Sequence, residues 1–133
     1  MTHTHFIGIG GTGLSAIAKV LLERGEKVSG SDMVMSPLAE AVQADGAQVY
    51  LGHAPENVQG ADVVVRSSAV PDGNVEVQAA KQAGIPVLRR EEYLKDILSS
   101  QLVIGVAGTH GKTTTTSMIV WMLHQLGQDP GFI

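Results

Sequence analysis

Apolar positions along this chain alternate between short runs and helix-spaced stripes. Phe6-Ile7-Gly8-Ile9 reads as a strand, and Leu14, Ile17, Ala18 and Leu21 then recur on one helical face until Gly25 ends the pattern. Lys27-Val28-Ser29-Gly30-Ser31 predicts a second strand. Ser36 suits a helix N-cap and Pro37 a first helical turn, which predicts a helix over residues 38–44 that Gly46 closes. Further strands are expected at residues 48–50, 61–65 and 87–88. A helix from about residue 75 to 83 separates the last two, and another covers residues 90–98. Strands that alternate with helices at this spacing need crossover connections, so the fold class is α/β: a Rossmann-like, mainly parallel sheet flanked by helices.

After the polar stretch Ser99-Ser100-Gln101 the pattern restarts. The apolar run Leu102-Val103-Ile104-Gly105-Val106-Ala107 predicts a sixth strand. A helix over residues 114–126 follows, with Ile119, Met122, Leu123 and Leu126 on one face, and Gly127 and a stub at Gly131-Phe132-Ile133 end the chain. One strand and one helix are too little for a core. The expected boundary therefore leaves residues 1–99 as a complete domain and residues 100–133 as the truncated start of a second. A single continuous sheet holding all six strands fits the same pattern.

Composition narrows the classes. With 133 residues, 44% hydrophobic and 17% charged, the chain has the balance of a globular protein. No apolar run approaches the roughly 18 residues that span a bilayer, and the start lacks the basic region and apolar core of a secretion signal. A net charge of −4 without basic runs argues against nucleic acid as a partner. The absence of cysteine removes disulfides, thiolate metal sites and thiol nucleophiles from consideration.

Two glycine loops carry the candidate chemistry. Gly8-Ile9-Gly10-Gly11-Thr12-Gly13 fits G-x-G-x-x-G between a strand and a helix, and Asp32 lies nineteen residues beyond it at the end of the second strand. The glycines permit a tight turn and close approach of a diphosphate, and the carboxylate suits ribose hydroxyls or a base. Alone, this motif points to NAD. The second loop, Gly108-Thr109-His110-Gly111-Lys112-Thr113-Thr114-Thr115-Thr116, carries the Gly-Lys-Thr core of a phosphate-binding loop, although the strict pattern wants glycine where Val106 stands. Lys112 would reach the β- and γ-phosphates and the Thr113 hydroxyl would ligate Mg²⁺. Four threonines are a costly way to open a helix, so hydroxyl supply is the better account of them.

These loops, with Gly30-Ser31-Asp32, Gly52-His53, Ser67-Ser68-Ala69 and Gly84-Ile85-Pro86-Val87, make the chain resemble the Mur ligase family over essentially all its length. The resemblance implies an ATP-dependent, amide-forming ligase of peptidoglycan precursor synthesis, working in the cytoplasm. UDP-N-acetylmuramate would bind the first domain, with its diphosphate against Gly10, Gly11, Thr12 and Gly13 and its uridine near Ser31 and Asp32. Ser67, Ser68 and His53 would share that crevice. ATP and Mg²⁺ would bind Gly108, Thr109, His110, Gly111, Lys112, Thr113 and Thr114, with Lys112 as the catalytic residue and Thr113 as metal ligand. The branch resembled most takes L-alanine as acceptor. The alternatives are a recycling ligase that attaches a ready-made tripeptide, and a stand-alone module for NAD or another nucleotide. A fragment of this extent should bind the UDP-sugar and not catalyse ligation.

Some residues read as structural. The helix expected from residue 75 has Asn74-Val75-Glu76 where the family has Asn-Pro-Glu, a change expected to affect stability slightly. Met118 and Met122 are expected in the core, and Trp121 either packed or exposed. His3 and His5 share a strand face and are expected to be solvated rather than to hold a metal.

Overall fold

The computed structural model describes residues 1–99 and 101–132. Ser100 of the polar connection and Ile133 of the terminal stub lie outside the described residues. The chain divides into two compact units, Met1–Ile97 and a second that begins at Leu98.

In the first unit, strands β1 (His3–Ile7), β2 (Lys27–Asp32), β3 (Gln48–Leu51), β4 (Val63–Arg66) and β5 (Val87–Arg89) form one five-stranded sheet. Its order is β3-β2-β1-β4-β5 and every pairing is parallel. The crossovers are α1 (Thr12–Glu23), α2 (Pro37–Ala44), a 3₁₀ turn at Pro55–Val58 and α3 (Val75–Gln82), and α4 (Arg90–Leu98) follows β5. The chain winds outward from β1 to β3, then returns to β4 on the other side of β1. Strand order therefore reverses between β1 and β4, which opens a crevice at their carboxyl ends.

Alternation along β1 divides the core in two. Phe6 packs with Leu14, Ile17, Ala18 and Leu21 of α1, Val42 of α2 and Tyr93 of α4. Ile7 faces the other way, toward Val58, Val64, Val77 and Ala80. Burial of both faces explains why polar residues of β1 and β2, such as Thr4, His5 and Ser31, lie inside along with the apolar ones. Tyr93 meets Phe6 edge-on at 6.1 Å, and its hydroxyl lies 3.0 Å from Thr4 Oγ1, which satisfies two polar groups in the interior. Local signals fix the helix starts. Ser36 Oγ accepts the Ala39 amide at 3.2 Å, and the Asn74 side chain accepts those of Glu76 and Val77.

The second unit departs from expectation. Residues 102–107 form no strand, and α5 (Lys112–Gln125) is the element found there. A strand needs a neighbour for its amides and carbonyls, and this unit has no second strand among the described residues to supply one. No residue of α5 is buried. Met118, Trp121, Met122 and Leu126, two of which were expected in the core, are more than half exposed, since the described residues of this unit supply no second helix or strand to cover them.

Gly30 sits where the sheet is tightest. A Cβ there would come within 2.7 Å of Ile9 side-chain atoms and of the Phe6 carbonyl oxygen. Gly30→Ala is expected to destabilise the first unit by about 1–3 kcal/mol, read as a lower urea midpoint with an unchanged slope.

Candidate functional site

The glycine loop closes over the carboxyl ends of β1 and β2. The amides of Gly8 and Ile9 both donate to the Ser31 carbonyl, at 2.8 and 3.1 Å, and that of Gly11 donates to the Gly8 carbonyl. Gly8 has φ +88°, a conformation that L side chains rarely adopt, and Ser67 Cβ lies against it. Helix α1 starts directly from the loop with Gly11 as N-cap, no side-chain cap and no acidic residue in its first turn. No residue of the helix itself therefore compensates its positive end, where Gly11 and Thr12 are exposed. The Arg90 side chain lies against Gly13, where an added Cβ would strike its guanidinium. Bare amides, a helix N-terminus and a cation together suit an anionic ligand.

The other expected residues are placed differently from one another. Asp32 Oδ2 accepts the Gly10 amide at 2.9 Å, so this carboxylate braces the loop while remaining half-buried. Ser36 adds a second brace, donating to the Gly10 carbonyl at 3.2 Å. Ser67 and Ser68 follow β4 on the far side of the switch point, Ser68 exposed and Ser67 half-buried. A cleft of about 220 Å³ opens beside them, lined by Arg66, Ser68, Val70, Pro71, Asp72 and Arg89. Arg66 is pinned in it by the Val70 carbonyl at 3.0 Å and Asp72 at 2.9 Å. Ser31 is fully buried, with its hydroxyl committed to neighbouring side chains, so it stands behind the crevice wall.

Those neighbours form a hub that sequence reasoning missed. Glu76, in the first turn of α3, is fully buried. Its Oε2 accepts the Ser31 hydroxyl at 2.5 Å and lies 3.3 Å from His53 Nδ1. Its Oε1 accepts Asn57 Nδ2 at 2.6 Å and the Ala54 amide at 3.2 Å. His5 Nε2, also fully buried, faces Oε2 at 3.5 Å and has no hydrogen-bond partner among the described residues. Burial by itself would push this carboxyl up; the His5 imidazole and the hydrogen bonds from Ser31 and Asn57 outweigh it and hold it down at about 2. Nothing local in Asn74-Val75-Glu76 signals this role, since the partners come from four separate segments.

His3 and His5 do share a face, but they are not solvated. His3 Nδ1 reaches the Gly60 carbonyl at 2.8 Å, and both rings meet Ser29 Oγ, from His3 Nε2 at 2.8 Å and from His5 Nδ1 at 2.9 Å. β1 is the central strand, covered on both faces, and this is why its histidines are interior. Among the described residues no cluster of three metal-ligating side chains exists, and no helix is long and apolar enough to cross a membrane.

The threonine-rich loop, in the second unit, enters α5 through Gly111 at φ +77°. Gly108 is also at positive φ. Lys112, Thr113 and Thr114 are exposed. Thr116 and Ser117 turn their hydroxyls back to the carbonyls of Lys112 and Thr113, at 2.8 Å each. Back-bonding of this kind satisfies hydroxyls that lie beyond the loop and leaves those of Thr113 and Thr114 without a protein partner among the described residues.

A model described as "Mur ligase family, catalytic domain" matches residues 3–101. The chain belongs to the Mur ligase family. This Mur ligase chain is 50% identical over 131 residues to a UDP-N-acetylmuramate–L-alanine ligase of Roseiflexus sp., covering 98% of this chain and 28% of that protein. Among solved structures it is similar to the UDP-N-acetylmuramate-alanine ligase of Thermotoga maritima, at 33% identity and a TM-score of 0.86, covering 95% of this chain and 30% of the other. It is also similar to the UDP-N-acetylmuramate:L-alanyl-gamma-D-glutamyl-meso-diaminopimelate ligase of Neisseria meningitides, at 38% identity and a TM-score of 0.86, covering 100% and 44%. The Mur ligase chain thus spans less than a third of the length of the alanine ligases it matches.

The depressed Glu76 carboxyl sets a pH dependence. A group whose pKa is lower folded than unfolded stabilises fully above its unfolded value, about 4.3, and loses that contribution as pH falls through its folded value. The wild-type chain should therefore lose stability between about pH 4.5 and 2, by up to about 3 kcal/mol from this group. Denaturant titrations across that window should show a shallower acid slope in Glu76→Gln, which has no carboxyl to protonate.

Proposed function

We propose that this chain is the N-terminal part of an ATP-dependent ligase that joins UDP-N-acetylmuramate to L-alanine, with residues 1–99 as the UDP-sugar domain and residues 100–133 as the start of the ATP-binding domain. The observation that carries the reading is the pairing of an uncapped α1 N-terminus at the switch point with 50% identity to a ligase named for that sugar nucleotide. The diphosphate would lie against Gly10, Gly11, Thr12 and Gly13, at a helix N-terminus whose first turn carries no acidic residue. Asp32 would take uridine or ribose hydroxyls with its remaining lone pairs. Ser67, Ser68 and His53 would line the walls, and Ser31 would act from behind His53.

In the complete enzyme the sugar's carboxylate would attack the γ-phosphorus of ATP, giving an acyl phosphate and ADP. The amino group of alanine would then displace phosphate and form the amide. Gly108, Thr109, His110 and Gly111 would wrap the phosphates, and Lys112 would neutralise charge as it develops on the transferring oxygens. The exposed, unpaired hydroxyls of Thr113 and Thr114 fit this loop to a magnesium-bound nucleotide, with Thr113 as ligand. Magnesium would supply further charge neutralisation there. The reaction would belong to the cytoplasm, where both nucleotides are found, and the fragment alone would bind without ligating. A tripeptide acceptor is the second reading, favoured by the 38% identity to the Neisseria enzyme; the 50% identity to a ligase named for alanine outweighs it.

Calorimetric titration of the 133-residue chain with UDP-N-acetylmuramate, NAD and MgATP in parallel tests the reading. Selective binding of the UDP-sugar is expected, and a preference for NAD would overturn it. Gly11→Leu is expected to fold, because Gly11 has an ordinary φ of −73°, and to weaken UDP-sugar binding by at least about tenfold through obstruction of the loop mouth. In the full-length ligase, Lys112→Ala should lower kcat by about 10²–10³-fold and leave UDP-sugar affinity without ATP unchanged.

A further inference from the structure

The proton positions on the Glu76 hub follow from its partners. The Ser31 hydroxyl has one proton, and it goes to the Glu76 carboxylate at 2.5 Å. Ser31 Oγ, 3.0 Å from His53 Nδ1, must then accept, so Nδ1 carries hydrogen. The 3.3 Å approach of Nδ1 to Glu76 Oε2 requires the same tautomer. The His53 side chain is 17% exposed, and in the neutral ring a hydrogen on Nδ1 leaves Nε2 as the acceptor. A neutral histidine side chain in water prefers the opposite tautomer, with hydrogen on Nε2, so the hub imposes this one.

A second chain of bonds seats the carboxylate from behind. The Gly60 carbonyl accepts from His3 Nδ1, so His3 Nε2 accepts the Ser29 hydroxyl, and Ser29 Oγ accepts from His5 Nδ1. His5 Nε2 then faces Glu76 Oε2 at 3.5 Å with no other partner among the described residues, so the carboxylate is seated against this ring.

We propose that Glu76, seated on His5, is a positioning residue that holds His53 in the Nδ1–H tautomer, so that His53 Nε2 accepts a hydrogen bond from the nucleoside end of the ligand, a ribose hydroxyl or an imide N–H. This rests on the UDP-sugar reading for the identity of the ligand and not for the tautomer. His53 follows β3, next to the β2 end that carries Asp32, and the Gly52 amide donates to the Asp32 carbonyl at 2.7 Å, so the two residues edge the same part of the crevice. An acceptor on His53 and a carboxylate on Asp32 would together select a ligand end rich in donors.

Long-range ¹H–¹⁵N imidazole spectra of the ¹⁵N-labelled 133-residue chain read the tautomer directly, with His53 assigned by its absence in His53→Ala. A protonated Nδ1 and bare Nε2 are expected in the wild type, and the reverse overturns the proposal whether or not any variant folds. In folded Glu76→Gln the population should move toward Nε2–H; an unchanged tautomer would mean that Glu76 does not position the ring. UDP titrations of the wild type, Glu76→Gln, His53→Ala and the double variant then test coupling. Each single change is expected to weaken UDP about tenfold and the double change no more than either alone. Additive losses, or undiminished UDP affinity in His53→Ala, would overturn the ligand contact. A folded wild type that binds no UDP would overturn the reading under Proposed function, while the spectrum still decides the positioning of His53.

Discussion

An ionised carboxylate in a protein interior must be surrounded by donors, and the crevice of this domain is organised by how Glu76 meets that requirement. Its two oxygens draw on the end of β2, the segment after β3, the 3₁₀ turn and the central strand β1. Each donor is a tie. Removing the carboxylate would leave several of them unsatisfied at once, which is costlier than losing one hydrogen bond. The same atoms that settle this buried charge also orient the ring of His53 at the surface, so that stability and site geometry share one constraint.

The glycine loop shows the complementary arrangement. Its acceptors are used up: the Ser31 carbonyl takes two amides, Asp32 takes the Gly10 amide, and Ser36 donates to the Gly10 carbonyl. What is left over at the start of α1 is a set of donors that no acidic side chain of the first turn takes up. A rigid turn with surplus donors is suited to an anion because little has to move when the anion arrives. Arg90 adds charge at the same place from α4, an element that Tyr93 anchors to β1 through Thr4 and Phe6.

The second unit lacks such support. Its loop turns through positive φ at Gly108 and Gly111, and its helix begins at Lys112. The apolar run before it remains unpaired and the face of α5 remains exposed. A helix closes its hydrogen bonds within its own segment, whereas strands and cores require partners from elsewhere in the chain.

Much of this protein was legible along the chain. The period of the apolar residues, Ser36-Pro37, the glycines after the helices and the G-x-G-x-x-G run mark the five strands, the four helices of the first unit and the loop, because these signals act over a few residues and need no distant partner. The family followed from the ordered motifs in the same way. Tertiary structure decided which polar residues went inside. His3 and His5 look like surface residues in a strand of alternating character, yet β1 takes the centre of the sheet and buries them. Glu76 looks like an ordinary acidic residue at a helix start, where its charge favours the helix dipole. Only the crossover that sets α3 beside Pro55–Val58 brings Ser31, Asn57, His53 and His5 to it. The apolar run at residues 102–107 erred in the other direction, since a strand sequence becomes a strand only when another backbone lies alongside to pair with it.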